Sequence, residues 1–219
     1  PENKPAGKGE WDPSPKDNIS DSLFSAVRTV RSDITPHEIV FYAYAVLCSG
    51  TLLEAFADAY FTASATENIP RIPIVSDPDV MELLITKGRE LAEIENPTTE
   101  VQLQDWVVPF ESLYQRQFNL QKFTVDNENL EIRLYSDSKV PEITLEGIPE
   151  DLLQMTISGY QVIACWLKFH SYPYTRTAFT NVQFLGLLRL LSCLDLQTVL
   201  IHQIDTVMEN IISGEVELL

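Results

Sequence analysis

The stretch FNLQKFTVDNENLEIRLY, Phe118–Tyr135, decides the fold. On both sides of Asp126-Asn127-Glu128-Asn129, apolar and polar side chains alternate with a period of two, as in strands with one covered face. The Asp/Asn tetrad between them favours a turn, so Phe118–Val125 and Leu130–Tyr135 are expected to pair as an antiparallel hairpin. Glu142–Leu145 reads as a third short strand. The flanking sequence carries helix signals instead. The expected fold class is therefore α+β, mostly helical with a small antiparallel β-sheet in the middle of the chain.

Upstream, Ser20 can cap a helix whose apolar residues Leu23, Phe24, Val27 and Val30 follow helical spacing. Thr35-Pro36-His37-Glu38 is a strong helix start, with Thr as cap, Pro first and Glu reaching back. That helix is expected to run through Phe41, Tyr44, Leu47 and Leu52 to about Ala63, with a break at Ser49-Gly50. Pro70-Arg71-Ile72-Pro73 should be extended, because each proline disfavours helix in the residue before it. Asp77-Pro78 opens an amphipathic helix through Met81, Leu84, Ile85 and Leu91.

Downstream of Ile148-Pro149, a helix is expected from roughly Tyr160 to Phe169, then a polar, aromatic loop, His170–Phe179. Thr180-Asn181-Val182-Gln183 is another capping box, opening a long helix to about Ile211. The first 18 residues hold four of the 13 prolines and read as a mobile arm or linker. Residues 19–219 read as one domain, helical over 19–96, β-rich over 115–146 and helical over 149–212. A start at Pro1 rather than Met suggests a piece of a longer polypeptide.

The chain has 219 residues and a formal charge of −17. Such a field repels nucleic acid and anionic membrane, which argues against nonspecific adhesion to either. Cys48, Cys165 and Cys193 each sit in an apolar run and read as reduced core thiols of a cytoplasmic protein. No signal peptide is read, and Asn181, Gln183 and Arg189 interrupt the nearest approach to a membrane span, Phe179–Leu194.

Catalytic patterns are missing from the sequence. There is no Gly-rich phosphate loop, no metal-ligand spacing of Cys or His, and no Gly-x-Ser-x-Gly elbow. His37, His170 and His202 are far apart and read as structural. The chain is expected to be no enzyme by itself, with no cofactor and no metal.

One stretch stands apart electrically. From Leu152 to Leu194 there is no Asp or Glu, while Lys168, Arg176 and Arg189 contribute three positive charges. The window is either a surface reserved for a polyanion or another protein, or a buried helical hairpin. Lys168, His170, Tyr172, Tyr174 and Arg176 gather donors and planar rings beside Trp166. Lysine and arginine neutralise phosphates, arginine bonds bidentately to guanine, and aromatic rings stack on unpaired bases. The rival reading places Trp166 and Tyr160 in the core and leaves only the Lys168–Arg176 loop exposed. Arg71 is a further DNA-contact candidate. Lys87 and Arg89 are weaker ones, expected to pair with acids such as Glu82, Glu90 and Glu93.

Six segments in series resemble the C-terminal specificity (target-recognition) domain of type ISP restriction–modification enzymes and related helicase–methyltransferase fusions. They are Ile39–Leu47, Pro70–Pro73, Gly88–Ala92, Gly147–Glu150, Ser158–Val162 and Trp166–Lys168. The resemblance implies a domain that follows an adenine-N6 methyltransferase domain and helps recognise a short site in duplex DNA. It also implies that the methyl donor and ATP bind elsewhere in the parent polypeptide. The sequence departs from the family after Trp166-Leu167-Lys168, where the family continues with several more basic residues. Here only Arg176 follows, so the isolated domain is expected to bind DNA weakly. The alternative is a protein-interaction or self-association module using the leucine-rich Phe184–Leu194 helix. A DNA mimic fits less well, because the acidic residues are scattered along the chain.

Overall fold

The computed structural model describes residues 19–55, 72–96, 99–100, 117–157 and 159–218. The proposed arm 1–18, the expected helix end beyond Ala55, and Arg71 lie outside the described residues. The chain divides into two compact units, Pro1–Gly88 with Val207–Leu219, and Arg89–Thr206.

The first unit is helical. In α1 (Asp21–Val30), the Ser20 hydroxyl accepts from the Leu23 amide at 3.3 Å, as expected of that cap. In α2 (Pro36–Cys48), Thr35 and Glu38 complete the expected capping box. Glu38 accepts from the Thr35 amide at 2.8 Å and its hydroxyl at 2.7 Å, and these bonds hold its carboxyl below the usual carboxylate range. Arg31 ties this corner together, pairing with Asp33, Glu38 and Glu82.

The expected break is real: α2 ends at Cys48 and α3 spans Gly50–Ala55. One face of α2 is covered. Ile39, Tyr42, Ala45 and Val46 are buried, whereas Leu47 is exposed and Phe41 and Tyr44 are half-buried. The same helix makes a close backbone approach. A side chain on Gly88 of α4 (Pro78–Glu95) would lie 2.0 Å from the Phe41 carbonyl oxygen. Along α4, Met81, Leu84, Ile85 and Leu91 are all buried, as expected.

The Tyr42 hydroxyl fixes the segment after Pro73. It donates to the Pro73 carbonyl at 2.7 Å and accepts from the Val75 amide at 3.1 Å. Val75 also bridges Leu218, and the Ser76 amide donates to the Glu217 carbonyl at 2.9 Å. Residues of three of the six resembling segments, around Phe41–Tyr42, Pro73 and Gly88, therefore meet in one packing arrangement.

The second unit holds the sheet. Strands β1 (Lys122–Asp126), β2 (Glu131–Tyr135) and β3 (Ile143–Glu146) are antiparallel in the order β1-β2-β3, the expected hairpin plus third strand. Asp126 closes the turn, accepting from the amides of Glu128 at 3.1 Å and Asn129 at 3.0 Å. The register pairs Phe123 with Leu134, Val125 with Ile132, and Ile132 with Leu145, which puts the apolar residues of all three strands on one face. That face joins Ile148, Leu152, Leu153, Ile163, Leu167 and Phe179 in one core.

Three short elements follow: α5 (Glu150–Gln154) and a two-stranded ribbon, β4 (Thr156–Ile157) with β5 (Tyr160–Gln161). Helix α6 spans Val162–His170, α7 spans Tyr172–Thr175 and α8 spans Asn181–Ile212. Phe184, Leu187, Leu188, Leu191 and Leu194 of α8 enter the core of the second unit. By length and composition α8 could cross a membrane, against the expectation that its polar residues prevent it, but those five apolar side chains are buried inside the protein. The cysteines are free and half-buried rather than fully buried.

Candidate functional site

The carboxylate-free window runs from the end of α5 through the β4–β5 ribbon, α6 and α7 into α8, and the segment just before β1 holds its middle in place. The Tyr172 amide donates to the Leu120 carbonyl at 2.7 Å. Phe118 and Phe179 exchange backbone hydrogen bonds of 3.2 and 2.7 Å, with their rings 5.7 Å apart. These two ties anchor residues 172–179 to the segment just before β1. They also explain why β1 begins at Lys122 rather than at Phe118, whose partner is Phe179 and not a strand of the sheet.

Ser171 makes the turn between α6 and α7. Its hydroxyl donates to the Lys168 carbonyl at 2.7 Å, and its own carbonyl accepts from the Thr175 amide at 2.9 Å. The expected loop thus contains the short helix α7, which ends on Arg176 in the left-handed conformation, φ 60°. A side chain at that φ costs about 1–2 kcal/mol relative to glycine. Arginine is held there despite the local preference.

The sequence candidates separate into two groups. Lys168, Tyr174 and Arg176 are exposed, and Tyr174 meets the exposed Phe169 edge to face at 4.9 Å. Among the described residues neither Lys168 nor Arg176 forms an ion pair. His170 and Tyr172 are half-buried. His170 stacks on Trp166 with centroids 3.7 Å apart, and its Nδ1 lies 2.8 Å from the Trp166 carbonyl. A carbonyl only accepts, so Nδ1 carries the proton. His170 therefore serves the end of α6 first. Lys87 and Arg89 are each engaged by neighbours.

The rival reading of the window holds for one ring and fails for the other. Trp166 packs against the core, 3.2 Å from where a Cβ on Gly186 would lie. Tyr160 is 69% exposed and belongs to β5, because α6 starts only at Val162. Sequence reasoning missed the β4–β5 ribbon, where Ile157 is also 64% exposed. A two-residue strand is too short to show a period, and Gly159, at φ 80°, was the one local signal of the turn.

Elsewhere in the second unit, an open groove of about 350 Å³ lies between α4 and α8. Its lining includes Glu90, Glu93 and Glu100, a charge that disfavours a polyanion. Among the described residues no group of three or more His, Cys, Asp or Glu side chains is placed to hold a metal ion.

No curated protein matched the chain. Among solved structures, the fold is similar to a chain of a DrdV–DNA complex, at 20% identity with a TM-score of 0.53. The similarity covers 88% of this chain and 20% of that one, so this chain spans about a fifth of that chain's length. The family model of the Type ISP C-terminal specificity domain matches residues 2–178, and the chain belongs to that family.

Proposed function

We propose that this domain recognises a short site in duplex DNA for a restriction–modification polypeptide that carries its catalytic parts elsewhere. The observation that carries the reading is the exposure of Lys168 and Arg176, without an ion pair among the described residues, in a segment without carboxylates on a chain of charge −17. Two cations confer little affinity: each neutralised phosphate adds roughly 0.9 to the slope of log K against log salt. The domain therefore needs backbone contacts from its parent, and its own share is register and site choice. Family membership supports this reading, as does a fold shared with a chain solved in a DNA complex.

The finer reading is a cytoplasmic polypeptide in which an adenine-N6 methyltransferase domain works beside this one, which itself performs no catalysis. Self-association through Phe184–Leu194 loses its main surface, because Phe184, Leu187, Leu188, Leu191 and Leu194 are buried in the domain's own core.

Protection mapping tests the site. Lys168 is exposed, so an amine-reactive reagent should label it in the free chain and label it several-fold less with duplex DNA bound. Equal labelling of Lys168 with and without bound duplex removes it from the interface.

A further inference from the structure

We infer that the groove between the C-terminal end of α4 and the middle of α8 docks a basic amphipathic helix of a partner protein. The inference goes beyond the DNA-binding reading and does not depend on it, since none of the groove residues belongs to that reading.

The groove is apolar and held open. Leu196, Val199 and Leu200 stand at i, i+3 and i+4 on α8, and with Ile94 of α4 they form its apolar lining. Val199 is 50% exposed. Three side chains at successive turns of α8 fix the walls. Arg189 donates to the carbonyl of Asn96, at 3.0 Å, and to that of Thr99. The Cys193 thiol donates to the Ile94 carbonyl at 3.6 Å, and the Gln197 amide donates to the Glu95 carboxylate at 2.7 Å. Walls tied in this way need little ordering when a partner arrives, which favours binding. Two helices flanking an apolar trough accept a third through anchors at i, i+3, i+4 and i+7.

Charge selects the occupant. Glu90, Glu93 and Glu100 line the groove, and among the described lining residues there is no lysine or arginine. Glu93 and Glu95 stand in the last turn of α4, where the helix dipole favours cations, yet that turn carries no basic residue. The carboxylates thus weaken their own helix end beside aliphatic surface left in water. A helix that sets lysine or arginine around aliphatic anchors relieves both conditions. A second copy of this chain does not supply one, because no described helix carries more than two Lys or Arg residues.

The test titrates the 219-residue chain with a synthetic leucine–lysine peptide of about four helical turns, and with its leucine–glutamate counterpart, by fluorescence anisotropy. Physiological salt, with a Debye length of about 8 Å, screens the general pull of a chain of charge −17. The lysine peptide should bind at least about tenfold tighter than the glutamate peptide. Glu93→Lys and Val199→Asp should each weaken it about tenfold. Glu128→Lys, an equal charge change at the exposed β1–β2 turn, should weaken it about twofold or less. Val199→Asp makes the chain more acidic, so lost binding there reports the apolar contact. Glu93→Lys should also raise the melting temperature of the free chain, because it corrects the charge at the helix end. If Glu93→Lys weakens binding no more than Glu128→Lys, or if Val199→Asp leaves it unchanged, overall charge holds the peptide and the groove is not the site. No binding by the native chain, or equal binding of the two peptides, likewise overturns the inference. None of these outcomes bears on the proposed function. Circular dichroism confirms that the variants fold.

Discussion

The rings of Trp166 and His170 lie face to face, 3.7 Å between centroids and 17° between planes, one turn apart on α6. This stack finishes the helix that carries Lys168. His170→Ala should therefore cost about 1 kcal/mol of stability and leave duplex affinity within twofold. Lys168→Ala should do the reverse, with stability unchanged and affinity reduced. Urea melts and anisotropy titrations on the two variants check the pair.

Arg176 separates local strain from function. At φ 60°, glycine removes the left-handed penalty but adds backbone entropy to the unfolded chain. Arg176→Gly should leave stability unchanged or raise it by up to about 1 kcal/mol, while duplex binding falls several-fold. A loss of stability with full binding would mark the arginine as structural.

Tyr42 gives an alkaline signature. Burial pushes its hydroxyl up to about 12 from 10.0, so ionisation is disfavoured in the folded state. Its contribution to stability is complete below pH 10 and is lost as pH rises from 10 to about 12. Tyr42→Phe should remove that component of the alkaline loss. At neutral pH it should cost about 1–3 kcal/mol, because the buried Val75 amide loses its acceptor. Denaturant melts at a series of pH values read both effects.

Gly88 should tolerate no side chain. A Cβ there meets the backbone of Phe41, which no rotamer change relieves. Gly88→Ala is expected to destabilise the protein by about 1–3 kcal/mol or more, measured by thermal unfolding.

What the sequence made legible was local. Thr35 and Glu38 close their box within one turn, and Asp126 closes the β1–β2 turn with its next neighbours. Alternation over Phe123–Val125 and Ile132–Leu134 fixed which sheet face is apolar. What stayed hidden depends on distant partners. The close approach of Phe41 to Gly88, the start of β1 beside Phe179, and the stack of His170 on Trp166 all join residues far apart in sequence or a full turn apart. The site was legible as a composition, a window without carboxylates, but not as a shape. Neither the left-handed Arg176 nor the exposed ribbon at Ile157 and Tyr160 leaves a periodic trace.

The salt dependence of duplex binding tests most directly the claim that Lys168 and Arg176 meet DNA. The chain and the Lys168→Ala, Arg176→Ala double variant are titrated with one duplex across a range of salt concentrations. The slope of log K against log salt should become shallower by about 1.8 in the variant, roughly 0.9 for each phosphate no longer neutralised. Identical slopes and identical affinities would contradict the account.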